Sequence, residues 1–247
     1  MEIIVGLHSV AHALQNSERV VEKLYLTEEG RKELKSKHGI NLKPINHEVL
    51  KKTNFQTEAQ KVFKKHKQTY HKITTGCFLI CEELEEHDLK WLYDRVQSDS
   101  LKILCLDQIT DVHNGAAIFR TASFYGVDVV LLPTKGAFSF TPGFYRISSG
   151  AREHIQIIRS ASFPKTISKL QELGVDVLAL SEHAEKDLDK FYSNQRCKML
   201  ILGAEETGIS NAIMRIVENK LRLESKGEIK SLNVSVAAAL AMEKTFS

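Results

Sequence analysis

Apolar and polar positions along this chain fall into blocks of strand length and helix length. Ile3-Ile4-Val5 is a short apolar run broken by Gly6 and reads as a strand. His8–Leu14 places Val10, Ala11 and Leu14 at helical spacing. Val20–Leu26 opens β-branched and suits a strand or a short helix. Glu28–His38 is a charged helix ending at Gly39; Ile40–Ile45 reads as a second strand, and His47–Lys52 starts another helix. Asn54–Tyr70 is polar, with Lys61, Lys64, Lys65 and Lys67 in it, and is either an exposed helix or a mobile basic loop. Cys77–Cys81 is a buried strand. This alternation predicts a small α/β domain over residues 1–84.

Glu82, Glu83, Glu85, Glu86 and Asp88 then precede Leu89, Trp91 and Leu92, which predicts an acidic linker over 85–99 with a short helix in it. From residue 100 the pattern is cleaner. Strands are predicted at Lys102–Leu106, Val127–Leu132, Ile155–Ile158, Val175–Leu180, Met199–Leu202 and Lys220–Leu223. Helices between them include Ala116–Tyr125, a short one at Phe144–Gly150, and one opened by Pro164 that runs to Leu173-Gly174. A last helix begins at Ser231, where Ser231 and Asn233 are both residues that start helices by accepting free backbone N–H groups. Repeated βα units imply a second α/β domain over 100–247, built on a mostly parallel sheet covered on both faces. Ligands of such sheets bind at the carboxyl ends of strands.

Composition adds a compartment. The chain has 247 residues, 43% hydrophobic and 26% charged, ordinary values for a globular protein. No apolar run approaches membrane-spanning length, and Glu2 stands where a signal peptide would be basic. Four scattered cysteines make no disulfide framework, and no His, Cys or Asp cluster has metal-ligand spacing. A cytoplasmic protein without a metal is expected. Net charge is only +3, but residues 1–80 hold 14 Lys and Arg against 8 Asp and Glu, and six of the ten histidines. The remainder holds 20 against 23. A basic first domain points to nucleic acid; a solvated lysine-rich face is the plainer alternative.

Candidate chemistry sits at three strand ends. The first segment is Leu106-Asp107-Gln108-Ile109-Thr110-Asp111-Val112-His113-Asn114-Gly115-Ala116-Ala117-Ile118-Phe119-Arg120, a strand, a polar turn and a helix. The second is Leu202-Gly203-Ala204-Glu205-Glu206-Thr207-Gly208-Ile209. The third runs from Leu223-Glu224-Ser225-Lys226-Gly227 to Ser231-Leu232-Asn233-Val234-Ser235-Val236-Ala237. Singly, Asn, Glu and Ser at such turns are usually caps or turn formers. Together, in this order and spacing, they resemble the SPOUT superfamily of RNA methyltransferases in its 2'-O-ribose (SpoU/TrmH) branch. The likeness spans residues 100–247, and Arg146-Ile147-Ser148-Ser149-Gly150-Ala151 is similar to a further family element. Residues 1–84 more loosely resemble the ribosomal-protein-like RNA-binding domain that often precedes this catalytic domain.

The resemblance implies a trefoil-knotted α/β catalytic domain, a homodimer, and S-adenosyl-L-methionine as cofactor. It implies backbone groups around Gly203, Leu223 and Leu232 at the cofactor, and Asn114, Arg120, Glu205, Ser231 and Asn233 around the reacting ribose. Arg120 would activate the hydroxyl or stabilise its developing charge, and a guanidinium rarely gives up its proton. A helix-surface ion pair of Arg120 with Asp111 or a neighbouring residue is the plainer alternative. This sequence departs from the family pattern at Gly115-Ala116, at Glu206, and at Glu224-Ser225 in the cofactor loop. The implied substrate is structured RNA: a guanosine ribose in large-subunit ribosomal RNA, or alternatively transfer RNA. A non-catalytic RNA-binding protein on the same fold is the competing class. A dinucleotide oxidoreductase and a P-loop enzyme are set aside, because neither G-x-G-x-x-G nor G-x-x-x-x-G-K-[ST] occurs.

Overall fold

The computed structural model describes residues 1–229 and 231–246; Lys230, which falls within the third segment just before Ser231, and Ser247 lie outside the described residues. The chain divides into two units, residues 1–85 with 139–153, and residues 86–138 with 154–247. Among the described residues no helix is long and apolar enough to cross a membrane.

The first unit begins β1 (Glu2–Val5), α1 (Leu7–Gln15), β2 (Val21–Thr27), α2 (Glu28–His38), β3 (His47–Leu50), α3 (Lys52–Lys65) and β4 (Cys77–Cys81). The sheet order is β1-β4-β2-β3, with β4 antiparallel to both neighbours and β3 parallel to β2. Ile3, Val5, Tyr25, Phe78 and Ile80 form one face and pack on Phe55, Ala59, Val62 and Phe63 of α3. That spacing is one helical stripe, so the polar stretch 54–70 is an amphipathic helix as far as Lys65. The strand expected at Ile40–Ile45 is instead irregular chain, and the paired strand lies at His47–Leu50, where a helix start was expected. Pro44 accounts for the shift: it has no N–H for a ladder and sits in a turn closed by Ile45 N–H on Leu42 O at 3.1 Å.

The second unit opens with α4 (Leu89–Ser98), capped by Asp88, whose carboxylate accepts from Trp91 N–H at 2.8 Å. Leu92 and Val96 are buried in its core, so most of the stretch 85–99 is a packed helix rather than a linker. Next come β5 (Lys102–Leu106), α5 (Val112–Phe124) and β6 (Val129–Pro133). The chain then enters the 139–153 segment of the first unit, which carries α6 (Pro142–Ser148). There Arg19 holds the segment to the rest of that unit, bonding Glu153 on the segment and Glu2 on β1. The second unit resumes with β7 (Gln156–Ser160), α7 (Phe163–Glu172), β8 (Asp176–Leu180), β9 (Lys186–Asp187), β10 (Lys198–Leu202), α8 (Asn211–Met214), β11 (Asn219–Arg222) and α9 (Val234–Phe246).

Its seven strands run in the order β7-β6-β5-β10-β8-β11-β9, every pair parallel. Ile103, Cys105, Val129, Leu131, Met199 and Ile201 pack beneath α4, α7 and α8. Alternation turns Leu104, Leu106, Leu200 and Leu202 to the other face, where α9 packs on α5 and β10. Full burial explains why these strands are unbroken apolar runs. Between β8 and β10 the described chain forms β9 and a single 3-10 turn at Leu188–Lys190, not the α-helix expected there.

Candidate active site

Three crossover loops and the start of α9 meet at the carboxyl ends of β5, β10 and β11. After β5, Asp107 turns inward and is buried. Its N–H donates to Leu202 O at 2.8 Å and its carboxylate accepts from Ser210 N–H at 2.7 Å, which ties the first loop to both ends of the second. Asp111 caps α5 by accepting from Asn114 N–H at 2.7 Å, so Asn114 sits in the first helical turn.

The second loop closes on itself. Gly208 N–H donates to Ala204 O at 2.8 Å. A Cβ on Gly203 would lie 2.1 Å from the Gly208 carbonyl carbon and 2.3 Å from Ile209 N, so only glycine fits. The third loop leaves β11 through Leu223. Ser225 Oγ lies 2.6 Å from Ile229 O, and Glu224 pairs with Lys226.

Asn233 joins all three. Its Nδ2 donates to Glu205 Oε2 at 3.0 Å and to Asn114 Oδ1 at 3.1 Å. Its Oδ1 accepts from Ser235 N–H at 3.0 Å and from Ser235 Oγ–H at 2.6 Å. All four hydrogen-bonding positions of the amide are used. Asn233 rather than Ser231 is therefore the cap of α9, which starts at Val234.

A cavity of about 660 Å³ opens beside this junction. Gly203, Glu205, Leu223, Ser231 and Leu232 all line it. Met214, Ile209 and Leu240 add apolar wall, and Glu182, Asp189 and Glu224 add carboxylates. The size and the mixed lining, apolar in part and rich in polar groups, suit a nucleoside-sized ligand. Asp189 pairs with Lys244 of α9, which raises the Lys244 ammonium above its usual range. Nearby, hydrogen bonds from Lys190 and Arg222 hold the Asp187 carboxyl below the usual carboxylate range. No group of three or more His, Cys, Asp or Glu side chains is placed to hold a metal ion among the described residues.

Arg120 is not part of the junction. Six residues on an α-helix carry it roughly 9 Å along α5 and about 120° around from Asn114. Its side chain is exposed, and the Asp111 carboxylate is engaged in capping rather than in an ion pair with it. The sequence reading missed Asp107, Ser235 and the loop 180–183 that completes the cavity wall. The position of that loop directly after a predicted strand was the available signal.

An all-parallel sheet with a ligand-sized cavity at its carboxyl edge defines an α/β enzyme fold. Residues 102–243 match the model of the SpoU rRNA Methylase family, more than half of the chain. The chain belongs to that family and is an RNA methyltransferase. It is 28% identical over 252 residues to a protein of Staphylococcus aureus (strain COL) provisionally named a TrmH family tRNA/rRNA methyltransferase, covering 99% of this chain and 95% of that one. It is 27% identical over 245 residues to the 23S rRNA (guanosine-2'-O-)-methyltransferase RlmB of Shewanella oneidensis, covering 98% and 95%. Among solved structures it shares the fold of the SpoU methyltransferase AviRb from Streptomyces viridochromogenes in complex with AdoMet. There the TM-score is 0.74 at 16% identity, with 98% of this chain and 88% of that one covered.

Proposed function

We propose that this protein methylates the 2'-hydroxyl of a ribose in large-subunit ribosomal RNA, a guanosine being the favoured nucleotide, with S-adenosyl-L-methionine as donor. The observation that carries the reading is the Asn114–Asn233–Glu205 junction at the mouth of the cavity lined by Gly203, Leu223 and Leu232. The bound donor supplies a methyl group on a sulfonium. Gly203 lets the loop close on its own backbone at Gly208 and so shapes the wall against the ligand, and the apolar part of the lining takes its adenosine. Asn114 and Glu205, both held by the Asn233 amide, orient the ribose with Ser231 so that hydroxyl and methyl are in line, which supplies much of the acceleration. Arg120 stands outside the junction, so in this reading it would place positive charge at the developing 2'-oxygen only once RNA is bound against α5.

The same reading includes a homodimer and a trefoil knot formed by the chain from β11 to α9. The dimer is supported by exposed apolar residues at the start of α9, where Leu232 just ahead of the helix and Val236 and Leu240 on it are 48%, 48% and 44% exposed, and by Phe124 at the end of α5, 82% exposed. The knot is supported by family membership and by the return of α9 onto α5 and β10. The first unit, net positive over residues 1–80, is assigned to RNA binding. Transfer RNA is the second reading, because the Staphylococcus relative's name covers both substrates.

The test is methyl transfer from labelled cofactor to ribosomal and transfer RNA taken from cells lacking the gene, followed by primer-extension mapping. Label at one ribosomal ribose is expected. Label confined to transfer RNA moves the function to the second reading. No label, with cofactor binding absent by calorimetry, leaves an RNA-binding protein on a methyltransferase fold.

A further inference from the structure

The first unit holds a hollow that the chemistry above does not use. Its floor is apolar, from Val5, Phe63, Ile73 and Pro142, and its rim carries His71, Lys72 and Arg146. No carboxylate lines it. The three rim side chains are exposed, and none has an ion pair among the described residues. Elsewhere in this unit Lys23, Arg31, Lys37, Lys52 and Lys61 each reach a carboxylate within 3.3 Å. Arg146 is carried by α6, and the His71–Lys72 side of the rim is also held in place although the segment bearing it has no helix or strand. Gln56 of α3 clamps that segment: its Nε2 donates to Ile73 O at 2.7 Å, and its Oε1 accepts from Ile73 N–H at 3.3 Å and from the Tyr70 hydroxyl. Cations over a low-dielectric floor concentrate their field at the opening, and a preformed rim loses little freedom on binding.

We propose that the exposed rim of this hollow, whose interior of about 20 Å³ has room for little more than a water, is a docking site for one backbone phosphodiester of the RNA substrate, held above the floor by Lys72 and Arg146. The inference rests on the RNA-methyltransferase reading for the identity of the anion, and concerns only how RNA is held. The experiment measures binding of the full-length protein to deproteinised ribosomal RNA across a salt series, without cofactor, so its outcome is independent of methyl transfer. The Lys72→Gln/Arg146→Gln double variant should bind about tenfold more weakly, with the salt slope reduced by about 0.7–0.9, the value for one neutralised phosphate. Gln56→Ala keeps every charge and should also weaken binding, because it frees the rim. Lys37→Gln, on α2 and outside the hollow, should keep the wild-type slope. An unchanged slope in the double variant, an equal fall in Lys37→Gln, or wild-type affinity in Gln56→Ala would each overturn the assignment.

Discussion

Asn233 Nδ2 donates to Glu205 Oε2 at 3.0 Å, joining the loop after β10 to the start of α9 across 28 residues of chain. The same amide caps α9 through its oxygen. Substitution can separate the two roles. Asn233→Asp keeps an oxygen that caps, but replaces both donors with a carboxylate facing Glu205. Asn233→Ala loses both roles. The alanine variant should lose about 1 kcal/mol with the cap, or roughly 2–4 °C in Tm, while the aspartate variant keeps the cap and loses stability only through repulsion from Glu205, a loss that lower pH relieves. Turnover should fall in both by about 10- to 100-fold, the equivalent of leaving one or two polar groups unpaired. Full turnover in Asn233→Asp would show that the donors only tidy the helix end.

Gly203 is the position least able to accept a side chain. The atoms that a Cβ would strike are the backbone of Gly208 and Ile209, which cannot swing aside as a side chain can. Gly203→Ala should open the 203–209 turn and weaken cofactor binding by at least about tenfold, a cost above about 1.4 kcal/mol. Gly227→Ala is the control, since nothing lies within 4 Å of a Cβ there. Calorimetric titration with S-adenosylmethionine reads both; equal affinities would remove Gly203 from the cofactor site.

Arg120 projects from α5 outside the junction, so its role depends on RNA being bound. Arg120→Lys keeps the charge and loses the planar fork, and Arg120→Ala loses both. Each should lower turnover at saturating RNA, the alanine variant by about 100- to 1000-fold, with cofactor affinity and Tm near wild type. Wild-type turnover in Arg120→Ala would mark it as a surface residue.

The first unit carries a pH-sensitive contact. The His38 ring meets the His8 ring edge-on at 5.0 Å, and its Nε2 is buried without a hydrogen-bond partner among the described residues. Burial first, then the charges of His8 and Lys37, push the His38 pKa below the usual histidine value, with Glu33 opposing. A cation at the end of α2 would suit the helix dipole, but desolvation outweighs that here. A depressed histidine pKa means that the unfolded chain binds the proton first. Stability is then full above about pH 6.5, the unfolded value, and falls as pH drops through it. Urea midpoints at pH 7.5 and 5.5 should differ, and His38→Gln should narrow the difference. The same difference in the variant would assign the effect to other groups.

Local chemistry was readable from the chain. The strands of the second unit stand out because parallel strands covered on both faces are continuous apolar runs. The start of α7 follows from Pro164, and the polar turns from their Gly, Asn and Asp. Helix α3 was ambiguous because its lysines dilute a stripe of only four apolar residues. Ser231 and Asn233 are equally good caps by residue type, and only the partners waiting at Asn114 and Glu205 select Asn233.

The sequence by itself determined most of the strands and helices, outside the stretches 40–52 and 181–197, together with the family and the set of polar residues at strand ends, since these depend on neighbours along the chain. Tertiary structure decided which of them meet. It joined Asn114 to Asn233 across 119 residues, left Arg120 exposed on another face of the same helix, and brought the loop after β8 into the cavity wall. It also assigned residues 139–153 to the first unit, through the buried pairing of Arg19 with Glu153. Hydrogen bonds and ion pairs act over about 3 Å of space whatever the separation along the chain. Their partners are therefore chosen by the packing of the sheet and helices, which no local pattern records.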